Sequence, residues 1–235
     1  MSEFAKHMTA RLLDHAQRHN WMGRNITDLG CGTGESLMWL SQHGYVVTGI
    51  DTSAEMLAIA QANLDQRGLT AQLIHSDFQT VTNVTDQDMV LALDILSELS
   101  NIRELESAFK HIHGMLGDDR WFVFDMYTIE GLVKRNQEGY QMLHDGPQLT
   151  LFASDHFDYE KSIQRREFLI FSQKAGETGW QRESAQRVLR AYPVQGITAL
   201  VQRSGFSIQH VLNMNMSNYS PNQSTDHVII FARKE

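Results

Sequence analysis

Short apolar segments alternate with amphipathic ones from residue 25 to residue 126, and few folds accommodate this alternation. The apolar segments predict strands over 25–29, 45–50, 71–75, 88–93 and 120–126. Apolar residues at helical spacing predict helices over 4–20, over 35–43, from Ser53 onward and over 102–116. Strands that alternate with helices form a parallel sheet with right-handed crossovers, so we expect an α/β protein.

The pattern changes after residue 126. Alternating apolar and polar positions between turns predict a small three-stranded antiparallel insertion, with strands over 149–157, 162–172 and 180–191 and a turn at 174–179. A helix and two strands, over 207–212 and 227–232, then return to the main sheet. We therefore expect a core over 1–140, an insertion over 141–191 and the remainder of the core over 192–235.

Composition excludes several classes of protein. The longest apolar run, 89–96, is far shorter than the roughly 18 residues of a membrane span. The first residues lack a basic-then-apolar signal, so we expect a cytoplasmic location. Residues 1–157 carry 10 Lys and Arg against 21 Asp and Glu, and this excess of acid opposes a duplex nucleic acid partner. Cys31 is the single cysteine, which excludes an internal disulfide.

The first predicted strand runs into the glycine-rich stretch Ile-Thr-Asp-Leu-Gly-Cys-Gly-Thr-Gly-Glu at 26–35. Gly30, Gly32 and Gly34 let a ligand approach bare backbone N–H groups at a helix N-terminus. Dinucleotide sites carry G-x-G-x-x-G, whereas the spacing here is G-x-G-x-G with Asp28 ahead of it. A carboxylate repels a pyrophosphate but attracts the ammonium and sulfonium groups of S-adenosylmethionine. This corner therefore favours S-adenosylmethionine, and an NAD-dependent oxidoreductase stays open as an alternative.

Further acidic residues stand where the next strands end. Asp51 ends the second strand, 19 residues after Gly32, and could accept hydrogen bonds from both ribose hydroxyls. Asp77 follows the third strand and could accept from an adenine amine, while Phe78 offers a backbone N–H. Asp94 closes the fourth strand. Ligands of open α/β sheets bind outside these carboxyl ends, so we expect the four acids to border one crevice.

Four segments in this order resemble class I S-adenosylmethionine-dependent methyltransferases over residues 26–126. They are Asp-Leu-Gly-Cys-Gly-Thr-Gly at 28–34, Gly-Ile-Asp-Thr-Ser-Ala-Glu-Met-Leu at 49–57, Ser-Asp-Phe at 76–78 and Asp-Met-Val-Leu-Ala-Leu-Asp at 88–94. The resemblance implies a Rossmann-like sheet of seven strands, mostly parallel, with helices on both faces and the last strand antiparallel. It implies S-adenosyl-L-methionine as cofactor and S-adenosyl-L-homocysteine as product. The insertion is similar in layout to that of small-molecule methyltransferases acting on amino sugars or glycine, where it covers the substrate pocket.

The resemblance also assigns the cofactor contacts. It implies the methionine end at the glycines, the ribose at Asp51 and the adenine at Asp77, and Met56 could lie against the adenine face. The full set of expected cofactor-binding residues is Asp28, Gly30, Cys31, Gly32, Gly34, Asp51, Thr52, Met56, Asp77, Phe78 and Asp94. We expect methyl transfer to a nitrogen or oxygen of a small-molecule acceptor. A module that binds S-adenosylmethionine without transferring its methyl group is a further alternative, and the antiparallel unit could pair edge to edge in a homodimer.

Methyl transfer requires a base only when the acceptor must lose a proton early. Asp125 and Tyr127 follow the fifth predicted strand at the mouth of the expected pocket. His144, Asp155 and His156 lie in the insertion that could fold over it. His156 is the preferred base, because imidazole is suited to proton transfer near neutral pH.

No metal site is expected from the sequence. His15 and His19 share a helix face at i, i+4, and His111 and His113 are two residues apart. Neither pair has a carboxylate or cysteine at the spacing of a metal ligand.

Overall fold

The computed structural model describes residues 2–173 and 179–235, so most of the predicted turn at 174–179 lies outside the described residues. The helices are α1 Ser2–Arg18, α2 Glu35–Gln42, α3 Ala54–Gln66, α4 Ile102–Met115, α5 Ile129–Lys134 and α6 Val194–Arg203. The strands are β1 Asn25–Leu29, β2 Val46–Asp51, β3 Gln72–His75, β4 Gln87–Ala92, β5 Leu116–Tyr127, β6 Gln137–Asp145, β7 Leu149–Asp158, β8 Ile163–Ser172, β9 Gln181–Arg190, β10 Phe206–Asn213 and β11 His227–Lys234. Within these ranges, no helix is both long and apolar enough to cross a membrane.

Seven of the described strands form the main sheet, in the order β10-β11-β5-β4-β1-β2-β3. Strand β1 pairs in parallel with β2 on one side and β4 on the other, and β11 pairs antiparallel with β5 and β10. The predicted α/β fold with a mostly parallel, seven-stranded sheet is confirmed. The strand order reverses between β1 and β4, which is where open α/β sheets bind ligands.

Apolar side chains fix the helices on both faces of this sheet. On one face, the buried ring of Phe109 in α4 has its centroid 5.8 Å from that of Phe122 and 5.4 Å from that of Phe124, both in β5. On the other face, α1 buries Leu12 and Leu13 completely or almost so. Burying side chains of this size contributes roughly 1.5–3 kcal/mol each, which holds the sheet and its edges in place.

The insertion is a separate antiparallel sheet of four described strands, in the order β6-β7-β8-β9, where the sequence predicted three. The three predicted strands correspond to β7, β8 and β9. Strand β6 was missed because its sequence is largely polar and contains Gly139, so it shows no clear alternation. It forms an edge by pairing with β7, and Tyr140 and Met142 on it are 51% and 57% exposed. The predicted boundary at residue 140 therefore falls inside β6.

Parallel pairing brings the ends of the first strands to one edge of the main sheet. The register places Asp28 between Gly49 of β2 and Leu91 of β4, and Asp51 beside His75 of β3. The strand-to-helix turns that follow β1, β2 and β4 therefore meet at this edge. The inserted sheet approaches it from the side of β4, where β9 contacts the short 3-10 helix Leu96–Glu98.

Candidate functional site

The turn between β1 and α2 is built from glycines with positive φ. Gly30, Gly32 and Gly34 have φ of 68°, 53° and 84°, a region that residues with a side chain rarely adopt. The Gly30 N–H donates to the Ile50 carbonyl at 2.8 Å, and the Gly34 N–H donates to the Cys31 carbonyl at 3.0 Å. These bonds fold the chain back on the end of β2 before α2 begins.

The three glycines are required for two different reasons. A Cβ on Gly30 would lie 2.5 Å from Cδ1 of Ile95, and one on Gly34 would lie 3.1 Å from the Cβ of Ala60. Those two positions need glycine so that the turn can pack against its neighbours. A Cβ on Gly32 would meet no atom within 4 Å, so this residue presents bare backbone to open space.

Asp51 is tied to the glycine turn by its side chain. The Gly32 N–H donates to Asp51 Oδ2 at 2.8 Å, and the Ser53 N–H donates to Asp51 Oδ1 at 2.9 Å. Ser53 in turn caps α3 by accepting from the Met56 N–H at 3.1 Å. A carboxylate offers about four acceptor positions, so Asp51 can still accept further hydrogen bonds. Its orientation is fixed before any ligand arrives.

Asp28 lies beneath the turn rather than in open space. Its side chain is 3% exposed and accepts a short hydrogen bond from the Ser36 hydroxyl in the first turn of α2. Burial raises the pKa of Asp28 to about 7, and the nearby Asp51 carboxylate adds to the increase. Cys31 is also buried, and burial raises the pKa of its thiol. The structure therefore gives both residues a supporting position, and the thiol is not activated.

The ends of β2 and β3 form the adjoining wall. The Ser76 N–H donates to the Asp51 carbonyl at 3.1 Å, and a ring nitrogen of His75 lies 3.0 Å from the carbonyl oxygen of Thr52. Asp77 is exposed, and its Oδ1 accepts from the Gln79 N–H at 2.8 Å. Phe78 is 6% exposed and belongs to the core. Only its backbone is therefore placed to contact a ligand here.

The core of the chain is similar to a known family of domains. A family model described as a methyltransferase domain matches residues 26–119, which include the glycine turn, Asp51, Asp77 and Asp94. A protein of Geobacillus sp. (strain WCH70), whose name assigns it provisionally to the methyltransferases, is 23% identical over 90% of this chain and 85% of its own length. Residues 26–119 thus match a methyltransferase domain, and the chain is similar to class I S-adenosylmethionine-dependent methyltransferases.

Solved structures show the same fold over almost the whole of this chain. An S-adenosylmethionine-dependent methyltransferase from Clostridium acetobutylicum ATCC 824 superposes with a TM-score of 0.84 at 18% identity, covering 98% of this chain and 92% of that one. A sugar N-methyltransferase from Streptoalloteichus sp. ATCC 53650 gives a TM-score of 0.71 at 20% identity, covering 100% and 87%. At these identities the likeness concerns the fold, including the inserted sheet, and no more.

The residues at the edge of the sheet are suited to S-adenosylmethionine, the cofactor of this family. Gly32 offers backbone that a ligand can approach closely, because nothing fills the space above it. Asp51 is held where it could accept from two ribose hydroxyls, and the exposed carboxylate of Asp77 could accept from the adenine amine. Met56 is 38% exposed at the start of α3, so its side chain could cover an adenine ring.

Asp94, also expected at the cofactor, is engaged by the inserted sheet. Arg187 of β9 donates from Nη2 to the Asp94 carbonyl at 2.7 Å and from Nη1 to Asp94 Oδ2 at 3.2 Å. The same guanidinium donates from Nε to a carboxylate oxygen of Glu98 at 2.6 Å. The Asp94 side chain thus joins β4 to the insertion, and it faces Arg187 rather than open space.

Asp125 supports this junction from β5. Its Oδ1 accepts from the Asp94 N–H at 2.6 Å, while Oδ2 is buried 3.9 Å from Nε2 of His227 in β11. Burial raises the pKa of Asp125 to about 8, and the neighbouring Asp94 carboxylate also raises it. Burial lowers the pKa of His227 to about 4. At neutral pH, Asp125 is therefore mainly protonated beside a neutral imidazole, so it is not an available base.

Tyr127, another of the catalytic candidates, lies two residues after Asp125 on β5. Its ring is 4% exposed and packs edge-on against His227, with the centroids 3.7 Å apart. The Arg135 guanidinium lies over the same ring at 4.4 Å. Burial raises the pKa of the Tyr127 hydroxyl, so it stays protonated and can act as a hydrogen-bond donor.

The inserted sheet turns Asp155, and not His156, toward the core. Asp155 is 9% exposed and accepts two hydrogen bonds from Arg166, at 2.8 and 2.5 Å, and one from Gln164 at 2.9 Å. Successive residues of a strand point to opposite faces, and His156 is exposed on the outer face. His144 is exposed as well. The structure therefore does not bring the preferred base to the candidate site.

Sequence reasoning missed the role of Arg187. The β-ladder places Asp155, Arg166 and Arg187 side by side across β7, β8 and β9, and we call these three residues the inner face of the inserted sheet. An arginine in a mildly basic stretch gives no local signal of such a contact. Only the register of three strands, together with the approach of β9 to Glu98, shows that it reaches the main sheet.

Proposed function

We propose that this methyltransferase transfers the methyl group of S-adenosylmethionine to a nitrogen or oxygen atom of a small polar acceptor. In this proposal, the inserted sheet over 137–190 is the roof of the acceptor space, and the flanking segments form the cofactor-binding core. The observation that carries the proposal is the contact of Arg187 with both Asp94 and Glu98, because it holds the insertion against the ligand-binding edge of the main sheet.

The chemistry of the roof favours a polar acceptor. Its inner face carries a carboxylate held by two side chains, together with the guanidinium groups of Arg166 and Arg187. Buried charged groups of this kind are costly unless they are paired or bind a ligand of matching polarity. The likeness of fold to a sugar N-methyltransferase supports an acceptor with hydroxyl or amine groups.

Orientation, rather than proton removal, is the main contribution that we assign to this chain. The bound cofactor supplies a methyl group that is already activated by its sulfonium. The protein then has to align the acceptor and exclude water, which can account for much of the rate. Asp125 acts as a positioning residue, since it fixes Asp94 and through it Arg187. The Tyr127 hydroxyl is the proposed donor to the acceptor.

The proposal is tested by incubating the protein with S-adenosylmethionine that carries a labelled methyl group and with separate panels of amino sugars, small amines and phenols. We expect labelled product from at least one panel, and far less from the Asp51→Asn variant at the same cofactor concentration, chosen below saturation of the wild type. Failure of every panel, with S-adenosylhomocysteine still bound tightly, would contradict the proposal and favour a binding module.

A further inference from the structure

Three histidines converge at a place remote from the candidate site. His15 and His19 lie one turn apart on α1, and His210 projects from β10. Their ligand nitrogen atoms all lie within 4.8 Å of one another. The ring centroids are 4.3 Å apart for His15 and His19, 4.8 Å for His15 and His210, and 4.2 Å for His19 and His210.

One of the rings is held as metal-binding imidazoles are, and a second has a buried nitrogen without a partner in the described part of the chain. Nδ1 of His19 lies 2.8 Å from the His15 carbonyl oxygen, so Nδ1 carries the proton and Nε2 keeps its lone pair. Metal-binding histidines are held in this way, with the second nitrogen bound to a carbonyl or carboxylate. Nε2 of His15 is buried and makes no hydrogen bond within the described residues. A buried polar atom without a partner is unfavourable, and a metal ion would provide one.

The surroundings of the cluster are apolar. The Phe231 ring lies 4.7 Å from that of His15, and the Trp121 ring lies 6.4 Å from that of His210. Asp14 and Arg18, on the same helix as His15 and His19, pair with each other at 3.0 Å. Imidazoles beside an apolar wall suit a divalent cation of the kind that nitrogen ligands prefer.

We propose that His15, His19 and His210 bind one divalent transition-metal ion of the zinc, nickel and copper class, with water in the remaining position. Imidazole nitrogen is a preferred ligand of these ions. In a tetrahedral site with metal–nitrogen distances of about 2.0–2.1 Å, the nitrogens lie roughly 3.4 Å apart. Rotation of the exposed His19 side chain and the half-buried His210 side chain would close the difference.

The role of such a metal would be structural. Strands β10 and β1 lie four positions apart in the main sheet, or about 19 Å at the usual spacing, so the ion would not reach the glycine turn. It would instead join the first helix to the last hairpin, two segments from opposite ends of the chain. A ligand that binds only the folded state stabilises it, so the metal should raise the melting temperature.

The test uses the full-length protein, with any purification tag removed and after treatment with a chelator. Zinc chloride is titrated by calorimetry, and nickel chloride is followed by quenching of tryptophan fluorescence. We expect one ion per chain. The exposed residue is replaced first, as His19→Gln, because this change should leave the fold intact. Loss of an outer hydrogen-bond partner lowers metal affinity about 10–100-fold, so loss of a direct ligand should lower it at least tenfold.

His43→Gln is the matched control. Nδ1 of His43 lies 2.7 Å from the Trp39 carbonyl oxygen, the same local arrangement as His19, but its ring stacks on Trp39 and not on other histidines. It should leave zinc affinity and the zinc-dependent increase in melting temperature unchanged. Absence of stoichiometric binding, or an equal loss of affinity in His19→Gln and His43→Gln, would overturn the proposal.

Discussion

The guanidinium of Arg187 in the inserted sheet lies 3.1 Å from a carboxylate oxygen of Asp94, and it also donates to the Asp94 backbone carbonyl. The two side chains are 17% and 9% exposed, so the pair is largely removed from water. Asp94 itself has a φ of 57°, and the Asp94 N–H donates to Oδ1 of Asp125. Asp94 follows β4 in a left-handed backbone conformation, and Arg187 and Asp125 both form hydrogen bonds with it. The position of the insertion is therefore linked to the geometry of the ligand-binding edge.

Replacing Arg187 should destabilise the protein and loosen the insertion. Arg187→Gln leaves Asp94 buried without its cation, and hydrogen bonds to charged groups contribute about 1.5–3 kcal/mol. Urea unfolding of Arg187→Gln, Asp94→Asn and the double variant should give a coupling energy of at least about 1 kcal/mol. Arg182→Gln, at an exposed position on the same strand, is the control and should change little. Additive effects of the two substitutions would refute the link.

Asp51→Asn should weaken binding of S-adenosylhomocysteine by roughly tenfold to a hundredfold, because charge-assisted hydrogen bonds to the ribose are lost. The amide keeps the size of the side chain but has one acceptor oxygen, so it can accept from only one of the Gly32 and Ser53 N–H groups. The melting temperature of the variant is therefore measured beside its affinity, to separate lost ribose contacts from a disturbed turn. Calorimetry measures the affinity, and Asp65→Asn on the exposed side of α3 is the control. Unchanged affinity in Asp51→Asn would place the ribose elsewhere.

Gly32→Ala should lower cofactor affinity far more than Gly44→Ala does. Both glycines have positive φ, 53° and 82°, and at both a Cβ would meet nothing within 4 Å. Each substitution should therefore cost a similar 1–2 kcal/mol or so of stability, from the left-handed backbone alone. Only at Gly32 would the methyl group occupy the space where a ligand approaches the turn. Equal affinities for S-adenosylhomocysteine would show that this space is not used.

The contribution of Asp125 to the free energy of unfolding should decrease as pH rises from about 4 to about 8, because Asp125 holds its proton more tightly in the folded protein. A carboxyl with a raised pKa contributes stability that is fully present below its unfolded pKa and is lost as pH passes the folded value. One such group changes the free energy of unfolding by up to about 1.4 kcal/mol per pH unit. Asp125→Asn imitates the protonated form and should reduce this slope in urea unfolding, whereas the exposed Asp118→Asn should not. An identical slope in wild type and Asp125→Asn would contradict the burial argument.

His156→Ala should retain methyl transfer at close to the wild-type rate. The side chain is exposed on the outer face of the inserted sheet, so its removal leaves the roof intact. The turnover number with the acceptor found in the panels is the measurement. A general base contributes about a hundredfold or more to the rate. A decrease of that size in the turnover number would show that His156 is the base.

Local sequence signals were sufficient to predict the fold of the main sheet. Three glycines at alternate positions and an acid at the end of the next strand are confined to a few residues, and the fold they predict is confirmed. The helix predicted from Ser53 onward begins at Ala54, and Ser53 caps it by accepting from the Met56 N–H. Such features depend on neighbours in the chain, so they can be read directly from the sequence.

The remaining features depend on register between distant segments. Neighbouring residues on β7 lie on opposite faces of the inserted sheet. Asp155 therefore points inward, and the preferred base, His156, points outward. The contact of Arg187 with Asp94 joins residues 93 positions apart. His210 reaches His15 and His19 only because the last hairpin closes the sheet beside α1. The spacing of these residues along the sequence does not indicate that they lie in contact.

A crystal structure with S-adenosylhomocysteine tests the central claim most directly. We predict the ribose hydroxyls within hydrogen-bonding distance of the Asp51 carboxylate, about 2.6–3.2 Å, with the homocysteine portion over Gly32 and the adenine beside Asp77. A ribose bound away from Asp51, or a glycine turn that remains without contact to the ligand, would contradict the account.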